Sequence, residues 1–136
     1  MGETYMKEIT IRAENKVGAL ADVAELLGGL GVNIEAISAY SAEDAAIFRI
    51  LTNDSTTAMK HLSKLPGLRL SEADIIVVDM QNRPGELGKI TRKLSNKGVN
   101  LESVYIVGKL SDITHVAIKP AQESFQKAKD ALGLKS

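Results

Sequence analysis

NKVGALADVAELLGGLGVNIEAI, residues 15–37, returns without a gap as NRPGELGKITRKLSNKGVNLESV, residues 82–104, displaced by 67 positions. Eight positions are identical: Asn15/Asn82, Gly18/Gly85, Leu20/Leu87, Leu27/Leu94, Gly31/Gly98, Val32/Val99, Asn33/Asn100 and Glu35/Glu102. Val23/Ile90, Ile34/Leu101 and Ile37/Val104 are conservative. A shared packing scheme explains matched leucines. Matched glycines and asparagines at turn positions point further, to duplication of a whole module with its turns.

Outward from the repeat, residues 7–14 alternate Ile9, Ile11 and Ala13 with Thr10, Arg12 and Glu14, the period of a strand. From Ala19 the period lengthens. Leu20, Val23, Leu27 and Leu30 form a helical stripe, ended by Gly28, Gly29 and Gly31, residues suited to a helix terminus. Residues 33–40 read as a second strand, 41–44 as a hairpin turn and 45–52 as a third strand. Asp54 or Ser55 can cap a helix with Ala58, Leu62 and Leu65 on one face. Pro66 and Gly67 stop it before a short fourth strand at 68–70. The second copy repeats the order: strand 75–80, turn 82–85, a helix with Leu87, Ile90 and Leu94, strand 101–107, turn 108–112 and strand 113–119. A last helix runs from about residue 121 with Phe125, Ala128 and Leu132 inward, and residues 133–136 leave room only for a stub.

The expected fold is α+β: two tandem ferredoxin-like βαββαβ modules, residues 1–72 and 73–136. Each is an antiparallel sheet with its helices on one face, and the last strand of the second is truncated. No Pro/Gly/Ser-rich linker separates the copies, and residues 68–80 can form one long strand. Without a full last strand, residues 75–80 lie at an edge although apolar on both faces. That predicts pairing with residues 68–71 or with a symmetry mate, and so a homodimer.

Composition narrows the function. The 17 basic and 17 acidic side chains are interspersed and cancel, which argues against a nucleic-acid or anionic membrane surface. Cysteine is absent, so disulfides and thiolate chemistry are excluded. No apolar run approaches the roughly 20 residues of a membrane span. The start lacks a signal-peptide core, and Met6 stands where a myristoylation signal requires Ser or Thr. A cytoplasmic location is expected. With no Trp, two Phe and three Tyr, the core is aliphatic, and modules this small bury too little surface to be robust alone.

The turn opening each helix is the first candidate site. The first N–H groups of a helix lack internal partners and carry partial positive charge, which suits a carboxylate. Gly18 and Gly85 permit close approach of a ligand, and Asn15 and Asn82 are placed to cap the helix or offer an amide. A capping Asn followed by a turn Gly is equally the signature of an ordinary helix start. The second candidate is Gly31-Val32-Asn33 with its copy Gly98-Val99-Asn100. Asn is disfavoured at a strand start, so its amide either satisfies the crossover backbone or faces a site. Both segments are expected at one end of a module, where they converge on a pocket.

Other signals are weaker. His61 and His115 have no partner at metal-ligand spacing and read as structural. Gly28-Gly29-Leu30-Gly31 follows a helix where a phosphate loop precedes one. Ser38, Ser41 and Thr114 have no adjacent base, and no catalytic triad or carboxylate pair is legible.

The two repeat segments resemble the ACT domain, a small regulatory module of amino-acid metabolism. The NRPG and GVN runs are most similar to the serine-sensing ACT domain of phosphoglycerate dehydrogenase. The resemblance covers nearly the whole chain as two modules and is stronger in the second copy, since the first has Val17 in place of the Pro. It implies a ferredoxin-like fold, side-by-side pairing of modules and amino-acid ligands at their interface. The implied ligand-contacting positions are Asn15, Gly18 and Asn33, and Asn82, Gly85 and Asn100. The serine-sensing domain has a His two residues before the NRPG Asn, whereas this chain has Ala13 and Met80. More apolar pockets are therefore implied.

Three function classes compete. An acyl-phosphate hydrolase needs a cationic phosphate clamp, for which only Arg83 and its counterpart Lys16 stand near the turns. An RNA-binding sheet needs exposed aromatics on its central strands, where only Phe48 is found. The expected function is a non-enzymatic sensor that binds an amino acid or similar small carboxylate and needs no cofactor or metal. It would act on a biosynthetic enzyme or regulator. The alternative is a structural or assembly module, or a trans-acting regulatory subunit of a biosynthetic enzyme without a ligand of its own. At the pocket mouths Val17 and Ala19 face Pro84 and Glu86 as counterparts. Pro84 pre-organises its turn, so the second site is expected to bind more tightly.

Overall fold

The strand and helix periods of the repeat are realised in a computed structural model that describes residues 4–134. They form two units, Met6–Asp74, and Met1–Tyr5 together with Ile75–Ser136. The element order is β1 (Tyr5–Glu14), α1 (Ala19–Gly29), β2 (Ile34–Ala42), β3 (Ala45–Thr52), α2 (Ser55–Leu62), β4 (Arg69–Gln81), α3 (Glu86–Asn96), β5 (Leu101–Leu110), β6 (Ile113–Pro120) and α4 (Phe125–Ala131). Residues 1–3, where the N-terminal leader and lipidation readings begin, and 135–136, part of the expected stub, lie outside the described residues.

In Met6–Asp74 the strands run in the order β2-β3-β1-β4, with β3 antiparallel to both neighbours. The expected alternation holds on β1: Ile9, Ile11 and Ala13 join Ala46, Phe48 and Ile50 in one buried face. Ala19, Val23 and Leu27 of α1 and Ala58 and Leu62 of α2 pack on that face, so both helices lie on the same side. This is the ferredoxin-like α+β arrangement. Asp54 caps α2, its carboxylate accepting from the Thr57 N–H at 3.1 Å and the Thr57 hydroxyl at 2.7 Å. The hydroxyl bond first, then the N–H bond, holds the Asp54 carboxyl below its ordinary range.

The buried face of α1 differs from the expected stripe. Leu20 and Leu30 are 37% and 36% exposed, and Ala19 takes the inward position. A methyl side chain there lets the start of the helix approach the sheet, and the next residue is carried about 100° around the axis. Leu87, the counterpart of Leu20, is exposed in the same way.

The second unit repeats the pattern with β4-β6-β5 antiparallel. Ile76, Val116 and Ile118 pack under Leu94 of α3 and Ala128 of α4, with Ile90, Phe125 and Leu132 partly buried against them. Residues 69–81 form one continuous strand, the long form that the missing linker allows. Among the described residues no strand follows α4. The expected open edge at residues 75–80 receives one hydrogen bond from the start of the chain, the Val77 N–H donating to the Thr4 carbonyl at 2.6 Å.

On the other face of β1 a charge is buried. Glu8 is 1% exposed, and its carboxylate accepts from Arg49 Nη1 at 3.1 Å. Arg49 also donates to the Tyr40 hydroxyl at 3.2 Å and to Thr10 Oγ1 at 3.4 Å. Burial works to lower the Arg49 pKa, but the Tyr40 hydrogen bond and the Glu8 charge outweigh it and raise the value. Among the described residues no helix is long and apolar enough to cross a membrane.

Candidate functional site

Asn-x-x-Gly is a type II turn built twice. In the first copy the Ala19 N–H donates to the Lys16 carbonyl at 3.2 Å, closing a turn with Val17 and Gly18 at its corners. Gly18 has φ +89° and ψ −3°, the left-handed conformation that this turn demands at its third residue. Val17 keeps a negative φ, which separates type II from its mirror-related forms. In the second copy the Glu86 N–H reaches the Arg83 carbonyl at 3.4 Å, and Gly85 has φ +88° and ψ −12°. Pro84 occupies the corner where a fixed φ near −65° fits.

The asparagines do not cap the helices. Gly18 and Gly85 hold the N-cap positions, and no side chain caps either helix. Instead the Asn15 N–H donates to the Asp44 carbonyl at 3.2 Å, and the Asn82 N–H to the Asp112 carbonyl at 2.7 Å. Each backbone ties the turn to the following hairpin and leaves the Asn side chain exposed. The Gly18 and Gly85 carbonyls accept from Asp22 and Lys89. Among the described residues no acceptor takes the N–H groups of Leu20 and Ala21, or of Leu87 and Gly88. These are the free donors of a helix start.

Convergence of the two motifs is not observed. Asn15 sits beside Asp44, at the hairpin end of β3, whereas Asn33 is tied to Asn53 beyond the other end. The Asn33 N–H donates to Asn53 Oδ1 at 2.8 Å, and its carbonyl accepts from the Asn53 N–H at 3.2 Å. The eight residues of β3 separate the two places, roughly 25 Å at the rise of a strand. The same holds for Asn82 beside Asp112 and Asn100, whose carbonyl accepts from Ala121. The reason is topological: α1 and α3 carry the chain back to the opposite end of the sheet. The Asn that begins each second strand is tied down through its backbone, and at Asn33 it is the Asn53 side chain that accepts.

A cavity of about 430 Å³ opens at the turn end of Met6–Asp74. Its walls are Ala13, Ala19, Val23, Leu65, Pro66, Gly67 and Leu68, and Glu14, Lys16 and Asp22 supply charge. Of the expected ligand-binding positions in this unit, Ala19 lines the cavity and Asn15, Val17, Gly18 and Asn33 do not. Leu65 to Leu68, between α2 and β4, could not be read as site residues, because only tertiary folding brings them to α1. Lys16 enters no ion pair among the described residues.

The corresponding place in the second unit is already charged. The Glu86 carboxylate accepts from Arg83 Nε at 2.6 Å and Lys89 Nζ at 3.3 Å. The bond from Arg83, with Lys89 in support, pulls the Glu86 carboxyl below its ordinary range. The helix start of α3 thus carries its own anion, while Pro84, Gly85, Asn82 and Asn100 stand exposed.

One pair escaped sequence spacing. His115 was read without a carboxylate partner, but strand register puts Asp79 opposite it, with Nδ1 to Oδ1 at 2.6 Å. His115 Nε2 is buried with no hydrogen-bond partner. Among the described residues no group of three His, Cys, Asp or Glu could hold a metal ion.

Residues 7–58 match the ACT domain family model. The match falls within the first unit, although the second carries the fuller NRPG motif. An ACT domain is usually a ligand-binding regulatory domain in amino-acid metabolism. No curated protein matches the sequence. Among solved structures, protein BT0572 from Bacteroides thetaiotaomicron is similar at 28% identity and a TM-score of 0.84, with 96% of this chain and 88% of that one covered. The regulatory subunit of aspartate kinase from Thermus thermophilus is similar at 13% identity and TM-score 0.68, covering 96% and 91%. That from Thermus flavus is similar at 16% and 0.60, covering 96% and 95%. At those identities the two aspartate kinase subunits share the fold and no more.

Proposed function

We propose that this chain is a non-enzymatic regulatory protein of two tandem ACT modules, residues 1–72 and 73–136, that binds a free amino acid. Occupancy would be passed to a biosynthetic enzyme or regulator. The observation that carries the reading is the cavity beside the opening of α1, whose α1-side wall, Ala13 to Val23, falls in the region that matches the ACT model. Its chemistry suits a zwitterion. Lys16 meets a carboxylate, assisted by the positive end of the helix, and Glu14 and Asp22 meet an ammonium. The walls are aliphatic, and Ala13 lines them. This supports an apolar amino acid over serine, the ligand suggested by resemblance to the phosphoglycerate dehydrogenase domain. The first module is then the binding one, in contrast to the preference that Pro84 suggested.

Thermal-shift screening against all proteinogenic amino acids tests this, since a ligand that binds only the folded state raises Tm. An aliphatic amino acid should give the largest shift. Calorimetry on Lys16→Gln should then show affinity reduced by roughly tenfold, the loss of one charge-assisted hydrogen bond, with Arg83→Gln close to wild type. A folded Lys16→Gln protein with unchanged affinity would place the site elsewhere.

A second reading is favoured by Glu86. Because its carboxylate already occupies the Arg83–Lys89 pair, the second module is better suited to assembly than to ligand. Exposed Leu87 beside it offers apolar surface for a partner copy. Sedimentation of a Leu87→Glu variant that matches the native species would rule this out.

A further inference from the structure

We infer that the sheet face of Met6–Asp74 opposite its helices holds a second site, distinct from the amino-acid cavity, for a small dianion such as a dicarboxylate or a phosphate monoester. A cavity of about 440 Å³ lies there. Three arginines from three strands line it, Arg12 on β1, Arg49 on β3 and Arg69 on β4, and none of its lining residues is acidic. Arg49 is committed to buried Glu8. Arg12 and Arg69 enter no ion pair among the described residues, although β1 and β4 are neighbours in the sheet. Like charges on adjacent strands repel and gain nothing by converging on one cavity, unless an anion joins them.

The neutral groups point the same way. The Tyr40 oxygen accepts from Arg49 Nε, and Thr10 Oγ1 accepts from Arg49 Nη1. Each hydroxyl therefore keeps its own hydrogen to donate elsewhere. The cavity thus offers two unpaired guanidinium groups and hydroxyl donors, a set with no complement except an acceptor-only ligand. Buried Ile47 lines the same cavity and accommodates a short hydrocarbon chain between two acidic ends. Two separate guanidinium groups favour two negative charges over one.

Calorimetry on the full chain with succinate, inorganic phosphate and acetate tests the site. Succinate or phosphate should bind once per chain, weaken as salt is added, and exceed acetate clearly. The tighter of the two identifies the natural ligand as dicarboxylate or phosphate ester. Arg12→Gln and Arg69→Gln should each lower that affinity about tenfold or more, and Arg12→Lys should retain part of it. Circular dichroism checks that the variants are folded. Acetate binding as tightly as succinate, no binding by either dianion, or a folded double variant with native affinity would each overturn the proposal. Amino-acid titration of the same variants should remain unchanged, so failure here leaves the α1 cavity untouched, and failure of that cavity leaves this face untouched.

Discussion

Gly18 begins α1 at φ +89° and Gly85 begins α3 at φ +88°, so the two helix openings are the same object in backbone terms. Their surroundings are not. The first has a small Ala19, an unpaired Lys16 and an adjoining cavity. The second has Glu86 held between Arg83 and Lys89. Duplication has kept what the chain needs to turn a corner and released what lies around it. A repeated motif is therefore evidence about geometry, and the unrepeated neighbours are the evidence about ligands.

Buried leucines give the largest contrast. Leu27 and Leu94 are repeat equivalents and both are fully buried. Truncation to Ala should cost about 2–5 kcal/mol in each. Among the described residues Leu27 belongs to a cluster of twelve buried residues and Leu94 to one of six, so Leu27→Ala should show the lower urea midpoint. The reverse order would mean that the second unit is the better packed.

A smaller effect separates the turns themselves. Val17 is fully exposed at the corner where the second copy has Pro84, so replacing it removes no packing. Val17→Pro should stabilise by about 0.4–1 kcal/mol by restricting the unfolded chain, and Pro84→Ala should lose a comparable amount. Thermal unfolding of both variants would check the symmetry. Destabilisation by Val17→Pro would show that the first turn is not the type II form inferred for it.

The smallest effect is electrostatic. Arg83 first, and Lys89 after it, depress the Glu86 carboxyl below its ordinary value of 4.5. Its contribution to stability is thus present above that value and is lost as pH falls through the lower folded-state value. Glu86→Gln should be less stable than the parent at neutral pH, and the two should converge in acid. The gap should narrow with salt because the partners are exposed. No equivalent dependence is expected at Ala19. A parent–variant difference that persists unchanged in strong acid would assign the effect to something other than charge.

Much of this architecture was legible because it is local. Alternation on residues 7–14, the period change at Ala19 and the Pro-Gly corner are each fixed within a few residues. Asp54 was likewise recognisable as a cap from its place before a helix. The misplacements were non-local. Asn33 was expected beside Asn15 at one end of the module, yet the helix between them carries the chain to the other end of the sheet. Asp79 and His115 stand 36 residues apart and meet only through strand register. Arg12, Arg49 and Arg69 lie far apart in the sequence and line one cavity only because three strands are set side by side. Leu20 was taken for core because it fits a helical period as well as Ala19 does, and periodicity cannot say which of two adjacent residues faces the sheet.

The hydrogen bond from Val77 to Thr4 makes the second unit discontinuous: it is joined by a segment synthesised before the whole of the first unit. Such a contact brings together residues far apart in the chain and is slow relative to hairpin formation. It also limits where the chain can be divided. A fragment beginning at residue 73 would cut β4 short and leave its Ile- and Val-rich remainder, still paired with β6, open along its other edge, a template for association with other chains.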